Sequence, residues 1–281
     1  MNTVDVQGIP VAYLERGSGT PILLIHGWQG DHRYMMADLE SVFETVPGWR
    51  RVYVDLPGHG ATPAPEWLAS NAHVISVLVD LSAALFGEER FAVAGNSWGG
   101  YFALALVRSL RQRLLGAALL VPWLPDAKRE CDVPEHRTVV RDPDAFGDLA
   151  PDEEWIPDRL VEQSRRAVEL IRRDDMPSIR AADQEALARL EESDPLPPSM
   201  AAPGPPFEGP SVILTGRQDA TVGYHAAWGL RDEFPRATFA SLDLAGHWLG
   251  RVERPEPFQA LVRDWLDRMG LATHDGSHPK T

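Results

Sequence analysis

Short apolar runs alternate with longer segments of helical periodicity along most of the chain. Eight of these runs are rich in β-branched and apolar residues and have the length of β-strands. They cover residues 4–6, 11–14, 21–25, 51–55, 91–94, 115–121, 211–214 and 238–242. The run at 21–25 is apolar throughout, which is typical of a strand buried on both faces. The alternation predicts an α/β fold with a mostly parallel sheet, in which the first two strands form an antiparallel hairpin that turns at residues 8–10.

One long segment interrupts this alternation. Between residues 125 and 208 we find no strand-like run, and residues 152–192 are rich in Arg, Glu, Asp, Ala and Leu at helical spacing. A proline-rich stretch follows, which is incompatible with the interior of a helix and predicts a connector. We therefore expect a core formed by residues 1–124 and 209–270, a helical insertion over 125–208, and a flexible polar tail over 271–281.

Composition and charge narrow the possible functions. Acidic residues outnumber basic ones by 41 to 27, and the formal net charge is −14. Such a surface repels phosphate backbones and anionic lipids, so neither a nucleic-acid nor a membrane partner is expected. The single cysteine, Cys131, excludes an intrachain disulfide and a cysteine-rich zinc site. The first fifteen residues lack the pattern of a signal peptide, and the longest apolar run is too short to span a bilayer, so we expect a cytoplasmic protein.

A serine flanked by glycines lies between the predicted strand at 91–94 and a predicted helix at 101–110. The local sequence is Gly-Asn-Ser-Trp-Gly-Gly, with the serine at position 97. On a tight strand-to-helix turn, a serine is held in a strained backbone conformation with its hydroxyl projecting outward. The small neighbours are needed because larger side chains would collide with the adjacent strand and helix. This context favours Ser97 as a nucleophile, and the helix N-terminus behind it favours developing negative charge.

A carboxylate and an imidazole follow two later strands of the predicted sheet. Asp219 comes shortly after the strand at 211–214, and His247 comes after the strand at 238–242. The carboxyl ends of parallel strands meet at one edge, so both side chains are expected near Ser97. In such a set, the histidine takes the serine proton and the carboxylate orients the histidine. Asp126 is an alternative acid because it follows the strand at 115–121, although Asp219 is favoured.

Together these motifs resemble the α/β-hydrolase superfamily over nearly the whole chain. The matching motifs are His26-Gly27-Trp28, Asp55-Leu56-Pro57-Gly58-His59-Gly60, the serine turn, Gly216-Arg217-Gln218-Asp219 and Gly246-His247. The resemblance implies an α/β-hydrolase fold: a mostly parallel eight-stranded sheet with helices on both faces and a helical cap insertion. It also implies a catalytic set of Ser97, Asp219 and His247. By position in the motifs, the backbone N–H groups of Trp28 and Trp98 would form the oxyanion hole.

Several aromatic residues accompany these motifs. Trp28, Trp98, Trp123 and Trp248 all fall on predicted active-site loops or at the ends of core strands. They either line an apolar substrate pocket or fill the core beneath the loops, and both interpretations stay open. His26, Trp123 and Trp248 are the candidate pocket residues. A structural role in shaping loops is favoured for His26 and His59, because the family uses both positions mainly in that way.

The sequence therefore favours a cofactor-independent serine hydrolase with no bound metal. We expect it to cleave a small or medium apolar carboxylic ester, thioester or lactone through an acyl-enzyme on Ser97. The partner would be a small-molecule substrate, and the protein would be a monomer or a homodimer.

Other functions that use the same fold stay open. Asn96 with Gly246-His247-Trp248 resembles meta-cleavage-product hydrolases, which split carbon–carbon bonds of β-diketone-type substrates. Ser97-Trp98-Gly99 resembles proline iminopeptidases, in which cap carboxylates hold a free amine, and Glu153 and Glu154 would suit that role. A biosynthetic cyclase and a non-catalytic ligand receptor are further alternatives.

Overall fold

An eight-stranded sheet forms the centre of the molecule. The computed structural model describes residues 1–125, 133–192, 197, 200 and 202–274. The strands are β1 (Asn2–Val6), β2 (Ile9–Arg16), β3 (Thr20–Ile25), β4 (Trp49–Val54), β5 (Phe91–Asn96), β6 (Leu114–Leu120), β7 (Ser211–Gly216) and β8 (Ala237–Leu242). Their spatial order is β1-β2-β4-β3-β5-β6-β7-β8, antiparallel as far as β4 and parallel from there to β8. This arrangement confirms the predicted fold class.

Helices cover both faces of this sheet. They are α1 (His32–Phe43), α2 (Asn71–Phe86), α3 (Trp98–Leu110), α4 (Arg165–Asp174), α5 (Met176–Ala181), α6 (Gln184–Glu191), α7 (His225–Trp228) and α8 (Pro255–His274). Strand β3 shows why its sequence is apolar throughout. Its Leu23 and Ile25 pack in the same cluster as α2 and α3, whereas Ile22 and Leu24 pack with α1 and α8. Successive side chains of a strand point to opposite faces, so burial on both faces requires a continuous apolar run.

The hairpin turn lies earlier than the sequence predicts. Val6 pairs with Ile9, so the connection consists of Gln7 and Gly8, both with positive φ, at 56° and 81°. A two-residue turn of this kind matches the right-handed twist of the flanking strands. The prediction of a turn at 8–10 is therefore wrong, because Ile9 is buried and belongs to β2 together with Pro10.

The starts of two helices are set by the residues that precede them, and α3 begins three residues before its predicted start at residue 101. Helix α2 begins at Asn71 because the Ser70 side chain accepts a hydrogen bond from the His73 N–H and caps it. Helix α3 begins at Trp98, directly after the serine turn. Because α3 begins this early, its N-terminus lies at Ser97, where the helix dipole favours negative charge.

The insertion between β6 and β7 contains α4, α5 and α6. In its described part we find no strand longer than an isolated bridge between Val140 and Glu162. It has an apolar cluster of its own, which includes Ile156, Leu160 and Ile171 and extends to Val252 of the core. The proline-rich connector falls partly outside the described residues.

The last helix reaches beyond the boundary predicted for the core. Helix α8 ends at His274, four residues into the predicted tail, and residues 275–281 lie outside the described ranges. Within those ranges, none of the helices combines the length and the apolar character needed to cross a membrane.

Candidate active site

Ser97 occupies a strained turn between β5 and α3. Its φ of 54° lies in the left-handed region, which is costly for a residue with a side chain. The chain around it is packed backbone to backbone. A Cβ atom on Gly95 would collide with the Gly99 carbonyl, and one on Gly99 would collide with the carbonyls of Ile25 and His26. Glycine is therefore required on both sides of Ser97, as the sequence predicts.

Three side chains from three separate loops form a continuous hydrogen-bonded chain. His247 Nε2 lies 2.9 Å from Ser97 Oγ, and His247 Nδ1 lies 2.9 Å from Asp219 Oδ2. Because a carboxylate only accepts, Nδ1 carries the proton and Nε2 is left to accept from the Ser97 hydroxyl. This is the arrangement in which a histidine can remove a serine proton. The alternative acid, Asp126, lies outside the described residues.

Asp219 is held in place by the backbone that follows it. Its side chain is fully buried, and its Oδ1 accepts hydrogen bonds from the N–H groups of Thr221 at 2.8 Å and Val222 at 3.0 Å. A buried carboxylate needs such partners, because an unpaired buried charge is strongly unfavourable. The two amides leave Oδ2 free to face His247.

The two predicted oxyanion donors lie on the segments that flank Ser97. A Cβ atom on Gly27 would stand 3.1 Å from the Ser97 Cβ, so the loop after β3 lies directly against the nucleophile. Trp28 follows on this loop, and its ring meets that of Trp98 edge-on at 4.9 Å. Trp98 is the first residue of α3, so its N–H has no carbonyl one turn earlier to bond. This N–H is suited to stabilise negative charge near Ser97.

A cavity of about 400 Å³ lies beside Ser97. Its described lining consists of Trp28, Asn71, Ser97, Trp98, Trp123, Leu190, Glu191, Thr221 and Val222. Trp123, a candidate pocket residue, belongs to this lining. Among these residues Glu191 alone is acidic, and none is basic. The cavity has the size of a small-molecule site and is largely aromatic and aliphatic.

Most of this lining was missed by the sequence analysis. Thr221 and Val222 could have been found, because they lie two and three residues after the candidate acid. Asn71 carried no signal, although its Oδ1 accepts a hydrogen bond from Trp98 Nε1 at 3.0 Å. Leu190 and Glu191 come from the end of α6, and nothing in the local pattern places that helix over Ser97.

His26 does not line the cavity, contrary to the prediction. It is fully buried, its Nδ1–H donates to the Gly27 carbonyl at 2.7 Å, and its Nε2 accepts from the Leu56 N–H at 3.0 Å. Burial lowers its pKa, which favours the neutral ring. Both nitrogens tie loops together, so His26 has a structural role.

His59 is placed in a similar way. It donates to the Pro57 carbonyl and accepts from the Gln29 N–H, and burial lowers its pKa to about 3. It is therefore neutral at physiological pH, with both ring nitrogens engaged. These hydrogen bonds agree with the structural role favoured for His59.

Trp248 also lies away from the described cavity lining. Its ring stacks on Trp155 of the insertion, with centroids 5.4 Å apart, and meets His247 edge-on at 5.9 Å. The prediction of a pocket residue fails here, because the side chain that follows His247 turns toward the insertion. Trp248 instead joins the insertion to the candidate active site.

One group of residues has the composition of a metal site. Ligand atoms of Asp31, His32 and Asp55 lie within 4.8 Å of one another. The Asp55 oxygens already accept from the His32 N–H, the His32 ring and the Ala61 N–H, and Asp31 pairs with Arg33. These hydrogen bonds account for the cluster, so we assign it a structural role.

Comparisons with known proteins identify the family. The sequence profile of the alpha/beta hydrolase family matches residues 22–265, which is most of the chain. The chain belongs to the alpha/beta hydrolase family, and esterases and other hydrolases are among its relatives. A solved alpha/beta superfamily hydrolase from Oenococcus oeni has the same fold, with a TM-score of 0.84 over 96% of this chain and 100% of that one, at 22% identity.

Two curated relatives match very different shares of this chain. The pimeloyl-[acyl-carrier protein] methyl ester esterase of Legionella pneumophila is 32% identical over 92 residues, or 33% of this chain and 34% of the relative. The match thus spans about a third of that relative's length. A 2-hydroxy-6-oxononadienedioate/2-hydroxy-6-oxononatrienedioate hydrolase of Paraburkholderia phymatum is 25% identical over 91% of this chain and 90% of its own.

Proposed function

We propose that this protein is a cofactor-independent serine hydrolase that cleaves a small or medium apolar carboxylic ester, thioester or lactone. The observation that carries the proposal is the hydrogen-bonded chain from Ser97 through His247 to Asp219, which opens onto an aromatic cavity. An esterase among the curated relatives supports the ester. The Trp28, Trp98 and Trp123 rings in the lining support an apolar acyl or alcohol group.

The geometry suggests a two-step reaction. Ser97 Oγ attacks the carbonyl carbon while His247 Nε2 takes its proton, and Asp219 stabilises the resulting imidazolium. The backbone N–H groups of Trp28 and Trp98 stabilise the oxyanion. His247 then returns the proton to the leaving alcohol, and an acyl group stays on Ser97. In the second step His247 takes a proton from a water molecule, which attacks the acyl carbon. The bond to Ser97 Oγ then breaks, His247 returns the proton to Oγ, and the acid is released.

We further propose that residues 125–208 form a cap over a core of residues 1–124 and 209–270. Support comes from α6, whose Leu190 and Glu191 complete the described cavity lining. A cap of this kind encloses the substrate and keeps bulk water from the acyl-enzyme. The final residues, 271–281, would take no part in the reaction.

The first test is covalent labelling with a fluorophosphonate probe, followed by intact-mass measurement. Wild-type protein should gain one adduct per chain, and Ser97→Ala should gain none. Ser41→Ala is the matched control, because Ser41 is an exposed serine on α1, and it should label like wild type. A folded wild-type protein without an adduct would contradict the proposal and would favour a non-catalytic receptor.

Carbon–carbon bond hydrolysis is the second candidate. It is favoured by the Paraburkholderia relative, whose similarity extends over most of both chains. The substrate in that relative's name is a dicarboxylate, and such a substrate is best held by a basic side chain. The described cavity lining offers Glu191 and no basic residue, which disfavours this reaction.

A direct comparison of substrates separates the two candidates. We expect p-nitrophenyl butyrate to be hydrolysed with a kcat/KM at least about tenfold above that of a 2-hydroxy-6-oxodienoate, since one missing charge-assisted hydrogen bond costs roughly that much. The reverse order would identify the carbon–carbon reaction. Ester and dienoate should be assayed with the same preparation, and Ser97→Ala gives the background for each.

The iminopeptidase alternative finds little support. Glu153 is buried and its carboxylate bonds Arg172 and the Ala150 N–H, while Glu154 is exposed. Neither belongs to the described lining of the cavity. A carboxylate that is already paired is poorly suited to hold the free amine of a substrate.

A further inference from the structure

The segment that follows His247 is built into the insertion at several points. Trp248 stacks on Trp155, and Val252 joins the apolar cluster of the insertion. Near its end, the Glu253 carboxylate bonds a backbone N–H of the insertion. The loop that carries the candidate base is therefore attached to the insertion through residues that the reaction scheme above does not use.

Glu253 is the most unusual of these residues, because its charged group is buried. Its exposed fraction is 6%. One oxygen, Oε1, accepts from the Val161 N–H at 2.9 Å, and the other, Oε2, accepts from the Gly246 N–H at 2.6 Å. Burying a carboxylate is costly unless it is well bonded, and here both bonds go to separate segments. Gly246 directly precedes His247, and Val161 belongs to the insertion.

The same two segments also touch directly. A Cβ atom on Gly246 would lie 3.0 Å from Val161 Cγ2, so the Val161 side chain sits on the backbone of Gly246. This contact and the carboxylate of Glu253 act on the same short stretch of chain. Any displacement of the Val161 segment would be passed to the backbone next to His247.

We propose that Glu253 is a positioning residue: its carboxylate locks the backbone before His247 to the insertion and thereby keeps Nε2 within reach of Ser97 Oγ. The inference rests on the hydrolase function proposed above. Glu253 does not touch the substrate in this scheme. Its role is to make the position of the base depend on a docked insertion, so that an undocked insertion leaves the histidine misplaced.

The protonation state of Glu253 gives this role a measurable signature. Burial raises the pKa of Glu253 to about 7, and the nearby Asp219 charge raises it too, while the two N–H bonds and His247 oppose these effects. The neighbouring Arg251 guanidinium is turned toward Asp38, Asp174 and Asp175. Protonation replaces one accepting oxygen by a hydroxyl, so one of the two backbone bonds weakens at acid pH.

The first experiment compares wild type with Glu253→Gln on p-nitrophenyl butyrate between pH 5 and 9. The amide keeps the shape but offers one acceptor, so we expect kcat to fall about tenfold at pH 8, with KM within about twofold. The signature is the difference between the two pH profiles, which should be largest above pH 7, where Glu253 is ionised. Glu256→Gln, an exposed change on α8, should behave as wild type. An unchanged kcat and profile in Glu253→Gln would overturn the proposal.

The second experiment tests the contact between Gly246 and Val161 by asking whether a substitution at one position restores activity lost at the other. Gly246→Ala should lower kcat, because the added methyl presses on Val161, whereas Val161→Ala alone should change kcat little. The double variant removes the colliding methyl and should recover most of the lost activity. A double variant as slow as Gly246→Ala would show that pressure at this contact does not displace the histidine, which would refute the coupling between the two segments.

Failure of the hydrolase function would be recognised separately. Wild type would then neither label with the fluorophosphonate nor hydrolyse the ester. The position of His247 could still be followed by the proton NMR signal of its Nδ1–H, which is bonded to Asp219. This measurement needs no substrate. That signal should shift or broaden in Glu253→Gln and not in Glu256→Gln, and an identical signal in all three proteins would refute the positioning role.

Discussion

Single atoms at Asp219 decide whether His247 can act as a base. One oxygen is held by two backbone amides and the other receives the His247 Nδ1–H. In Asp219→Asn, an amide nitrogen can take the place of the accepting oxygen, and the histidine then adopts the wrong tautomer. We expect kcat for ester hydrolysis to fall on the order of 10⁴-fold, with a small change in KM. If Asp219→Asn stayed active while Asp126→Asn was inactive, the acid would be misassigned.

The backbone at Gly99 leaves no space for a side chain. A methyl group there would meet the carbonyl oxygens of Ile25 and His26, and neither can move without distorting β3. Gly99→Ala should therefore lower the free energy of unfolding by at least about 1–3 kcal/mol, measured by urea denaturation. Gly147→Ala serves as the control, since nothing lies within 4 Å of its Cβ position. The control should stay within about 0.5 kcal/mol of wild type.

At the scale of elements, Arg251 joins α1 to the insertion. Its guanidinium bonds Asp38 of α1 at 2.7 Å, Asp174 of α4 at 2.9 Å and Asp175 at 2.7 Å, with only 8% of the side chain exposed. The Tyr34 ring lies 4.8 Å from the guanidinium carbon. The insertion is thus docked by a buried ionic network as well as by its apolar cluster.

Removing this arginine should loosen the insertion. Arg251→Met leaves buried carboxylates without their counter-charge, and we expect a loss of about 3–5 kcal/mol in the free energy of unfolding. Limited proteolysis should cut the insertion sooner than in wild type. Arg173→Met removes a mostly exposed partner of Asp174 and should cost no more than about 1 kcal/mol. Equal losses in the two variants would contradict a special role of Arg251.

At the scale of the whole molecule, buried titratable groups make stability depend on pH in opposite directions. Burial raises the pKa of Glu253 to about 7 and that of Asp175 to about 6. The contributions of these two carboxyls to the free energy of unfolding are complete below the pKa values of the unfolded chain. They are lost as the pH rises through 6 to 7. Burial lowers the pKa of His26 and His59, so their contributions are present at neutral pH and are lost as the pH falls below about 6.5.

A difference measurement isolates the contribution of Glu253. Glu253→Gln does not titrate, so its stability relative to wild type should rise with pH. Since one pKa unit corresponds to about 1.4 kcal/mol, we expect a gain of roughly 2.5 kcal/mol between pH 5 and pH 8. Urea denaturation at several pH values measures this difference. The corresponding difference in stability for Glu256→Gln should not change with pH. A difference for Glu253→Gln that did not change with pH either would show that its carboxyl is not buried in solution.

The sequence alone determined the fold class and the three hydrogen-bonded residues, because these depend on local signals. Strands and helices follow from periodicity, and the glycines around Ser97 reflect a strained turn that only small neighbours permit. Asp219 and His247 could be selected because each follows a strand whose end lies at a known edge of a parallel sheet. This reasoning placed the hairpin turn wrongly, because a short run of residues does not show that Ile9 is buried.

The tertiary structure decided what surrounds these residues. Leu190 and Glu191 reach the cavity only because α6 docks over Ser97, and that docking depends on contacts between residues far apart in the sequence, such as the Arg189 guanidinium with the Ala64 carbonyl. His26 was a plausible pocket residue until both its nitrogens proved to bond backbone groups. Glu253 carried no signal at all, because its two donors lie 7 and 92 positions away along the chain. Periodicity reports which face of an element is buried, but the partner that covers that face is chosen only when the chain is folded.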